Sequence, residues 1–425
     1  MTDLLAISSQ AIDSGRIDQP VNRVNHELSE IGDGIAMVEA FSHAIVFSTE
    51  AGLVVFDTSG VQGGALVVKE IGKWNDAPVN TIVYTHGHLD HVGGSGAFAL
   101  DARAHNRPRP QFIGHHNVAP RFARYDTTTG YNLAINARQF SGRNFTIGGA
   151  GRFLPEDVVW PDISYQDSMT LKVGELDIEL HHAKGETDDH TWSYIPAKKA
   201  ICAGDFFIWN FPNAGNPQKV QRYPLEWAAA MRTMAAKDSE LFLPAHGLPI
   251  AGRQRIRTVL GNVATALENL VRDTLAMMNS GAKLDDILHS VKVPKETLEL
   301  PYLRPLYDEP EFVVRNIWRL YGGWYDGNPA HLKPAHHDAL AIEVATLAGG
   351  AQALSARAQV LSSAGEHRLA CHLIEYAVAA APADKSLHAL RAQVYLRRRE
   401  TETSLMAKGI FGTAAGESKA IADVD

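Results

Sequence analysis

Between Thr85 and His91 the chain reads Thr-His-Gly-His-Leu-Asp-His, directly after the apolar run Thr81-Ile82-Val83-Tyr84. His86, His88, Asp90 and His91 are imidazole and carboxylate donors, the types that zinc or another borderline divalent ion takes. A strand that ends in a sharp turn sends alternate side chains into one cleft, so His86 and His88 can converge on one ion. Asp90 and His91 open the next helix and can hold a second ion beside the first. The Val92-Gly93-Gly94 that follows lets another stretch of backbone approach closely. A polar surface turn that happens to carry three histidines is the bland alternative. Four donors within six residues, at the end of a buried strand, weigh against it.

The elements that must position this turn are legible from period and punctuation. GIAMVEAF, HAIVFSTEAGLVVFDTS and NTIVYTH read as short strands rich in Val, Ile and Phe, separated by Gly, Asp or Ser. GALVVKEIGKWN has helical spacing and is predicted to bury Leu66, Val67, Ile71 and Trp74. Further strands are expected at 110–116, at 168–183 as a hairpin turning at Gly174-Glu175, at 191–205 and at 240–246, with a helix over 224–237. The stretch 117–165 has little period and is expected to be long loops around a short helix.

From about residue 253 the texture becomes Ala- and Leu-rich with helical period and almost no strand signal. Residues 357–396 read as a helix–turn–helix pair like one tetratricopeptide unit; a lone unit makes no solenoid, so it is taken as helical packing. The expected organisation is a loose arm at 1–25, an α/β catalytic domain at 26–252, a helical domain at 253–410 and a flexible tail at 411–425.

With 425 residues, two or three domains are expected. Lys and Arg number 40 against 48 Asp and Glu, a net charge of −8 that argues against a nucleic-acid or polybasic membrane partner. Two cysteines, Cys202 and Cys371, cannot build a disulfide framework. No stretch is apolar enough to span a membrane and none reads as a signal peptide, so a cytoplasmic location is expected. Nineteen histidines, several of them clustered, point back to a metal site.

The HxHxDH pattern after a strand, within ββα repeats, resembles the metallo-β-lactamase superfamily over roughly residues 25–252. That resemblance implies an αββα sandwich with one or two metals at the sheet edge, followed here by the all-α domain. It also implies three further ligands at strand ends. In Lys184-Gly185-Glu186-Thr187, Glu186 stands where the superfamily commonly has His in Gly-His-Thr. Cys202-Ala203-Gly204-Asp205 supplies the bridging carboxylate Asp205, and Leu243-Pro244-Ala245-His246-Gly247 supplies His246. A shifted loop would make His190 the ligand instead of Glu186; otherwise His190 and Asp189 orient ligands from behind.

Glu in place of His resembles the alkylsulfatases of the superfamily. Tyr321-Gly322-Gly323-Trp324-Tyr325-Asp326-Gly327-Asn328-Pro329 is similar to the segment that opens their helical dimerisation domain, which implies a homodimer. Such enzymes often continue into a sterol-carrier-like domain, for which these residues hold no counterpart. The resemblance implies two Zn2+, though another divalent ion fits the same donors. His86, His88 and Glu186 would hold the first, Asp90, His91 and His246 the second, with Asp205 bridging and Asp90 and Asp205 serving catalysis. An activated water would release sulfate from an anionic alkyl ester, its sulfate held by Asn213, Lys219, Arg222 or Arg138. Asn213 lies near the position where those enzymes place a substrate Asn. The rival activities are hydrolysis of a lactone, thioester or phosphoester, because fold does not fix chemistry, and a metal-binding interaction protein with no turnover. His115, His116, His181 and His182 are expected at strand ends rather than as ligands. The run Phe206–Phe211 is either core or an apolar wall beside the metals.

Overall fold

A computed structural model of the chain describes residues 2–140 and 151–423. Leu28–Gly32 (β1), Ile35–Val38 (β2), Ala44–Thr49 (β3) and Gly52–Phe56 (β4) form an antiparallel meander. Val79–Val83 (β5), Gln111–His115 (β6) and Ile163–Tyr165 (β7) extend it in parallel. The second sheet runs Ser168–Val173 (β8), Leu176–His182 (β9), Thr191–Ile195 (β10), Ala200–Gly204 (β11), Leu241–Pro244 (β12) and Ile250–Ala251 (β13), with β11 and β12 parallel.

The twofold alternation of a strand splits the apolar residues of the first sheet between two cores. Ile45, Phe47, Val54, Phe56, Val83 and Ile113 face the second sheet and share a core with Ile178, Leu180, Trp192, Ile201 and Phe242. Val46, Leu53, Val55, Ile82 and Phe112 face the other way. They are covered by Gly64–Trp74 (α2), Leu89–Val92 (α3), Ser95–Ala104 (α4) and Val118–Thr127 (α5), which follow the amino-terminal Leu4–Ser14 (α1) and precede Thr129–Gln139 (α6). Pro224–Ala236 (α7) and Arg253–Asn279 (α8) cover the second sheet. The result is the αββα sandwich that the sequence implies.

Several boundaries differ from expectation. Residues 1–25 are not a loose arm throughout: Asp3 caps α1, which buries Leu4 and Ala11. Of the four residues assigned to the buried face of α2, Val67 and Ile71 are buried and Trp74 partly so, whereas Leu66 is 42% exposed. The loop region 117–165 holds two helices, α5 and α6, and its residues 141–150 lie outside the described ones. The predicted domain break at 252 also moves. α8 presents a stripe of Ile256, Val259, Leu260, Val263, Leu267 and Leu270 that packs beside α7, so it belongs to the sandwich.

Two compact units result, one of Met1–Leu133 with Thr146–Gly323, the other of Ala134–Phe145 with Trp324–Asp425. The first also contains Leu284–Ser290 (α9), Lys295–Leu298 (α10) and Pro310–Tyr321 (α11). The second contains Pro329–Leu332 (α12), His337–Ala348 (α13), Ala351–Ser363 (α14), His367–Ala380 (α15), Lys385–Glu400 (α16) and Leu405–Ala422 (α17) around Leu354, Ala358, Ile374, Leu387 and Val394. Most of the predicted flexible tail, up to Ala422, is therefore helix; residues 424–425 lie outside the described ones. Among the described residues no single helix is long and apolar enough to cross a membrane.

One close approach fixes the helix that carries Asp90 and His91. A Cβ on Gly94 would lie 2.1 Å from the Thr58 carbonyl oxygen and 2.7 Å from Gly64 Cα, so backbone meets backbone there. Gly94→Ala is expected to lower unfolding free energy by about 1–3 kcal/mol, the usual range for overpacking. Urea denaturation monitored by fluorescence measures it, and unchanged stability would contradict this packing.

Candidate metal centre

The donors arrive from strand ends at one edge of the sandwich. β5 leads through Tyr84 and Thr85 to His86 and His88, and α3 carries Asp90 and His91. β11 ends in Gly204, whose φ of +54° and whose missing Cβ, which would sit 2.7 Å from both His190 Nε2 and Thr85 Cβ, swing Asp205 into the cleft. β12 leads to His246, and Glu186 lies on the turn between β9 and β10.

Two groups of potential ligand atoms form, each within 4.8 Å of one another: His86, His88, Glu186 and Asp205, and Asp90, His91 and His246. Asp205 joins them. Its Oδ2 lies 3.9 Å from His86 Nε2, while its Oδ1 lies 3.3 Å from His91 Nε2 and 3.4 Å from His246 Nε2. His246 Nε2 is also 3.3 Å from Asp90 Oδ2, and His88 Nδ1 is 3.5 Å from Glu186 Oε1.

Hydrogen bonds behind the ligands fix which ring nitrogens point forward. Asp57, at φ +60° beyond β4, accepts from the Thr85 amide and hydroxyl at 2.7 Å each, and its Oδ2 lies 2.7 Å from His91 Nδ1. His91 thus donates from Nδ1 and turns the Nε2 lone pair toward Asp205. Thr85 Oγ1, its proton given to Asp57, accepts from His86 Nδ1 at 3.1 Å, so His86 Nε2 also offers a lone pair, 2.9 Å from His88 Nδ1. His91 Nε2 and Asp205 Oδ1 are buried without a hydrogen-bond partner among the described residues. Lone pairs and a carboxylate facing one another in a buried space are costly unless a cation or protons lie between them. The donor set fits a binuclear metal site.

His190 lies outside both groups of potential ligand atoms. Its Nε2 accepts from the Asp205 amide at 3.1 Å, and its ring stacks on Phe206 with centroids 4.2 Å apart. Burial holds it at about 3, neutral, so that acceptor persists. Asp189 accepts from the Gly87 amide at 3.0 Å and from Arg121 Nε at 2.7 Å, and Arg121 also pairs with Asp188. The His86–His88 turn is thereby tied to the Glu186 turn.

The predicted anion-binding residues divide. Asn213 donates to Glu186 Oε1, and Arg222 Nη2 lies 3.4 Å from the same oxygen; both side chains are buried. Burial, aided by Arg222, pulls Lys219 down to about 8. Arg138 instead belongs to the second unit, where its carbonyl accepts from Thr413. The 213–222 segment is braced by residues the sequence did not single out. Asp308 accepts from the Gly215 and Asn216 amides at 2.6 and 3.1 Å, and Asn316 of α11 donates to the Arg222 carbonyl at 2.9 Å. Asp57, Arg121, Asp308 and Asn316 were missed. Only Asp57, an acid closing a buried strand before Thr-Ser, carries a local signal. The other four histidines stay outside the ligand groups: His115 stacks on His182 at 3.7 Å and sits beside His116, and His181 stacks on Trp192. The run Phe206–Phe211 is largely core, with Phe206, Phe207, Trp209 and Phe211 buried.

Residues 38–246 match the family described as the metallo-beta-lactamase superfamily, and residues 283–420 match the one described as alkyl sulfatase dimerisation. The chain is 26% identical over 372 residues to a linear primary-alkylsulfatase of Pseudomonas sp. (strain ATCC 19151), covering 81% of this chain and 68% of that protein. It is 23% identical to an (R)-specific secondary-alkylsulfatase of Pseudomonas sp., covering 88% and 59%. It is 22% identical to an alkyl/aryl-sulfatase of Saccharomyces cerevisiae, covering 84% and 58%. The chain thus spans about two thirds or less of these relatives. The solved structure of a stereoselective inverting sec-alkylsulfatase from Pseudomonas sp. superimposes with a TM-score of 0.81 at 22% identity, over 93% of this chain and 66% of that one, a likeness of fold.

Proton competition gives the site a pH signature. Burial, and then Asp205, pushes Glu186 well above the carboxylate range. Burial opposes a charge on His91 and His246, but Asp205 and Asp90 outweigh it and raise both rings. The two rings so raised favour their protonated form and must release protons to ligate an ion. Zinc uptake by chelator-treated protein at pH 7 is expected to release protons, with apparent affinity falling as pH falls. Calorimetry in buffers of different ionisation enthalpy measures this; uptake without proton exchange would overturn the assignment.

Proposed function

The chain belongs to the metallo-beta-lactamase superfamily, and from that premise we propose that its centre is a binuclear zinc site that hydrolyses alkyl sulfate esters to alcohol and inorganic sulfate. One observation carries this reading: Asn213 and Arg222 meet Glu186, with Lys219 within its electrostatic reach, three neutral or cationic donors beside a centre built from carboxylates and histidines. Such donors suit the bidentate, charge-assisted recognition of an anionic group.

In this reading His86, His88 and Glu186 would hold one ion and Asp90, His91 and His246 the other, with Asp205 shared between them. Two divalent ions held there would supply Lewis acidity, lowering the pKa of a water toward neutrality. Arg222 and Asn213 orient the sulfate group, and Lys219 adds charge below about pH 8. Their backbone is pinned by Asp308 and Asn316, which keeps the anion's position fixed relative to the ligands. Burial works to protonate Asp90, but His91 and His246 outweigh it and hold it down to about 2, so it would stay ionised as a ligand.

The second unit supports a homodimer. Leu340 and Leu347, seven residues apart on α13, share one face, and Leu347 is 88% exposed. Apolar surface of that kind is usually covered by a partner. Cys202 and Cys371 are both free thiols, which fits the cytoplasmic location expected of the chain.

Sulfate release from a medium-chain alkyl sulfate is expected, lost with chelator and restored by zinc. Arg222→Ala is expected to lower kcat/KM by about 10- to 100-fold at saturating zinc, the worth of a hydrogen bond to a charged group. Lactone opening without sulfate release would assign the site to another ester class. Light scattering is expected to give a mass near twice 46.3 kDa, and a mass of 46.3 kDa would sink the dimer.

A further inference from the structure

We propose that the turn Phe41-Ser42-His43, between β2 and β3, is the positioning device of the second ion pocket, setting the geometry of His91 and His246 and hence the affinity for the second ion. The proposal rests on the binuclear reading above.

Each residue of the turn touches a different part of that pocket. Ser42 Oγ lies 3.0 Å from His91 Nδ1, both buried, so it shares with Asp57 the proton that keeps the His91 Nε2 lone pair forward. His43 grips the chain on both sides of His246: its amide donates to the Ala245 carbonyl at 2.7 Å and its Nε2 donates to the Gly247 carbonyl at 2.9 Å. Burial holds the His43 ring at about 3, so it is neutral, and the Gly247 carbonyl keeps its one proton on Nε2. Phe41 meets the His246 ring edge-on, centroids 5.4 Å apart at 76°, while remaining 56% exposed.

The first pocket is braced by other groups. Thr85 holds His86, Asp189 holds the Gly87 amide, and Asn213 and Arg222 hold Glu186. The two pockets share Asp57, which holds both Thr85 and His91, and Asp205, but the contacts of the Phe41–His43 turn fall on the second pocket alone. A residue that orients a metal ligand from behind commonly changes affinity by about 10- to 100-fold. That change should fall on one ion and not on both.

The test is a zinc titration of the full chain in metal-buffered solution, resolving two binding steps, with zinc per chain counted after dialysis. Ser42→Ala and His43→Ala are expected to weaken the second step by about 10- to 100-fold and leave the first step within about twofold. His43→Gln, which keeps a side-chain donor, is expected to recover part of the loss. Phe41→Ala alters an exposed residue with little risk to folding and is expected to give a smaller shift of the same step. Cobalt substitution gives a spectroscopic check, since only the bands of the second ion should change. Equal weakening of both steps would reduce the turn to general scaffolding and overturn the proposal, as would two unchanged steps in all four variants. A wild-type chain that takes up only one ion would instead overturn the binuclear reading, and this inference with it.

Discussion

Asp205 is the constraint on which the rest depends. A buried carboxylate places one oxygen among His91 and His246 and the other toward His86, so two groups of ligands share one anion. Burial works to protonate it, but His91 and His246 outweigh that and hold the carboxyl well below its ordinary range. The centre thus concentrates four potential carboxylate and histidine ligands at one place and three at another. Left to itself such a cluster would spread apart or protonate. The surrounding structure has to impose the convergence.

It does so with backbone more than with side-chain bulk. Gly204 takes a left-handed φ because any Cβ would strike His190 and Thr85, and that turn aims Asp205. Asp57 accepts the same left-handed conformation without being glycine, a local strain commonly found where a side chain must be aimed. From there it holds Thr85 and His91 together. The Gly94–Gly64 approach sets α3, and hence Asp90 and His91, against the end of β4. Two stacked sheets make these devices possible, since strands that end at one edge deliver distant segments to one point. The ligand residues span 160 positions of sequence, from 86 to 246, and meet within a few ångström.

What was legible in the sequence follows from this division of labour. His86, His88, Asp90 and His91 sit in one local motif, and Glu186, Asp205 and His246 each end or follow an apolar run, so period and residue type expose them. The residues behind them carry no local mark. Arg121 lies on a helix that period only half reveals, and its partners Asp188 and Asp189 are 67 and 68 positions away. Ser42 meets His91 across 49 positions and His43 meets Gly247 across 204. Nothing in FSHA announces either contact. Helical period likewise identified α8 but not its neighbour: an apolar stripe says that a helix packs, and not against what. The same blindness made Leu66 an expected core residue, because a helix with apolar residues on adjacent positions has more than one candidate face.

The placement of α11 extends this reasoning to the substrate. The segment 213–222, which carries the proposed anion-binding residues, has little regular structure of its own, and loops of that kind hold a precise shape only when their backbone is bonded elsewhere. Asp308 supplies that anchor by accepting two of the loop's amides, and Asn316 by donating to the Arg222 carbonyl. Gly215 lets the loop press directly onto the helix, since a Cβ there would lie 2.4 Å from the Phe312 carbonyl carbon. Burial raises Asp308 to about 6 against the pull of those amides, so it carries its charge at neutral pH by a modest margin. The residues between the sandwich and the second unit are therefore part of the site's construction rather than a linker. Changes in α11, far from any ligand in sequence, would reach the chemistry by shifting Asn213 and Arg222 against Glu186.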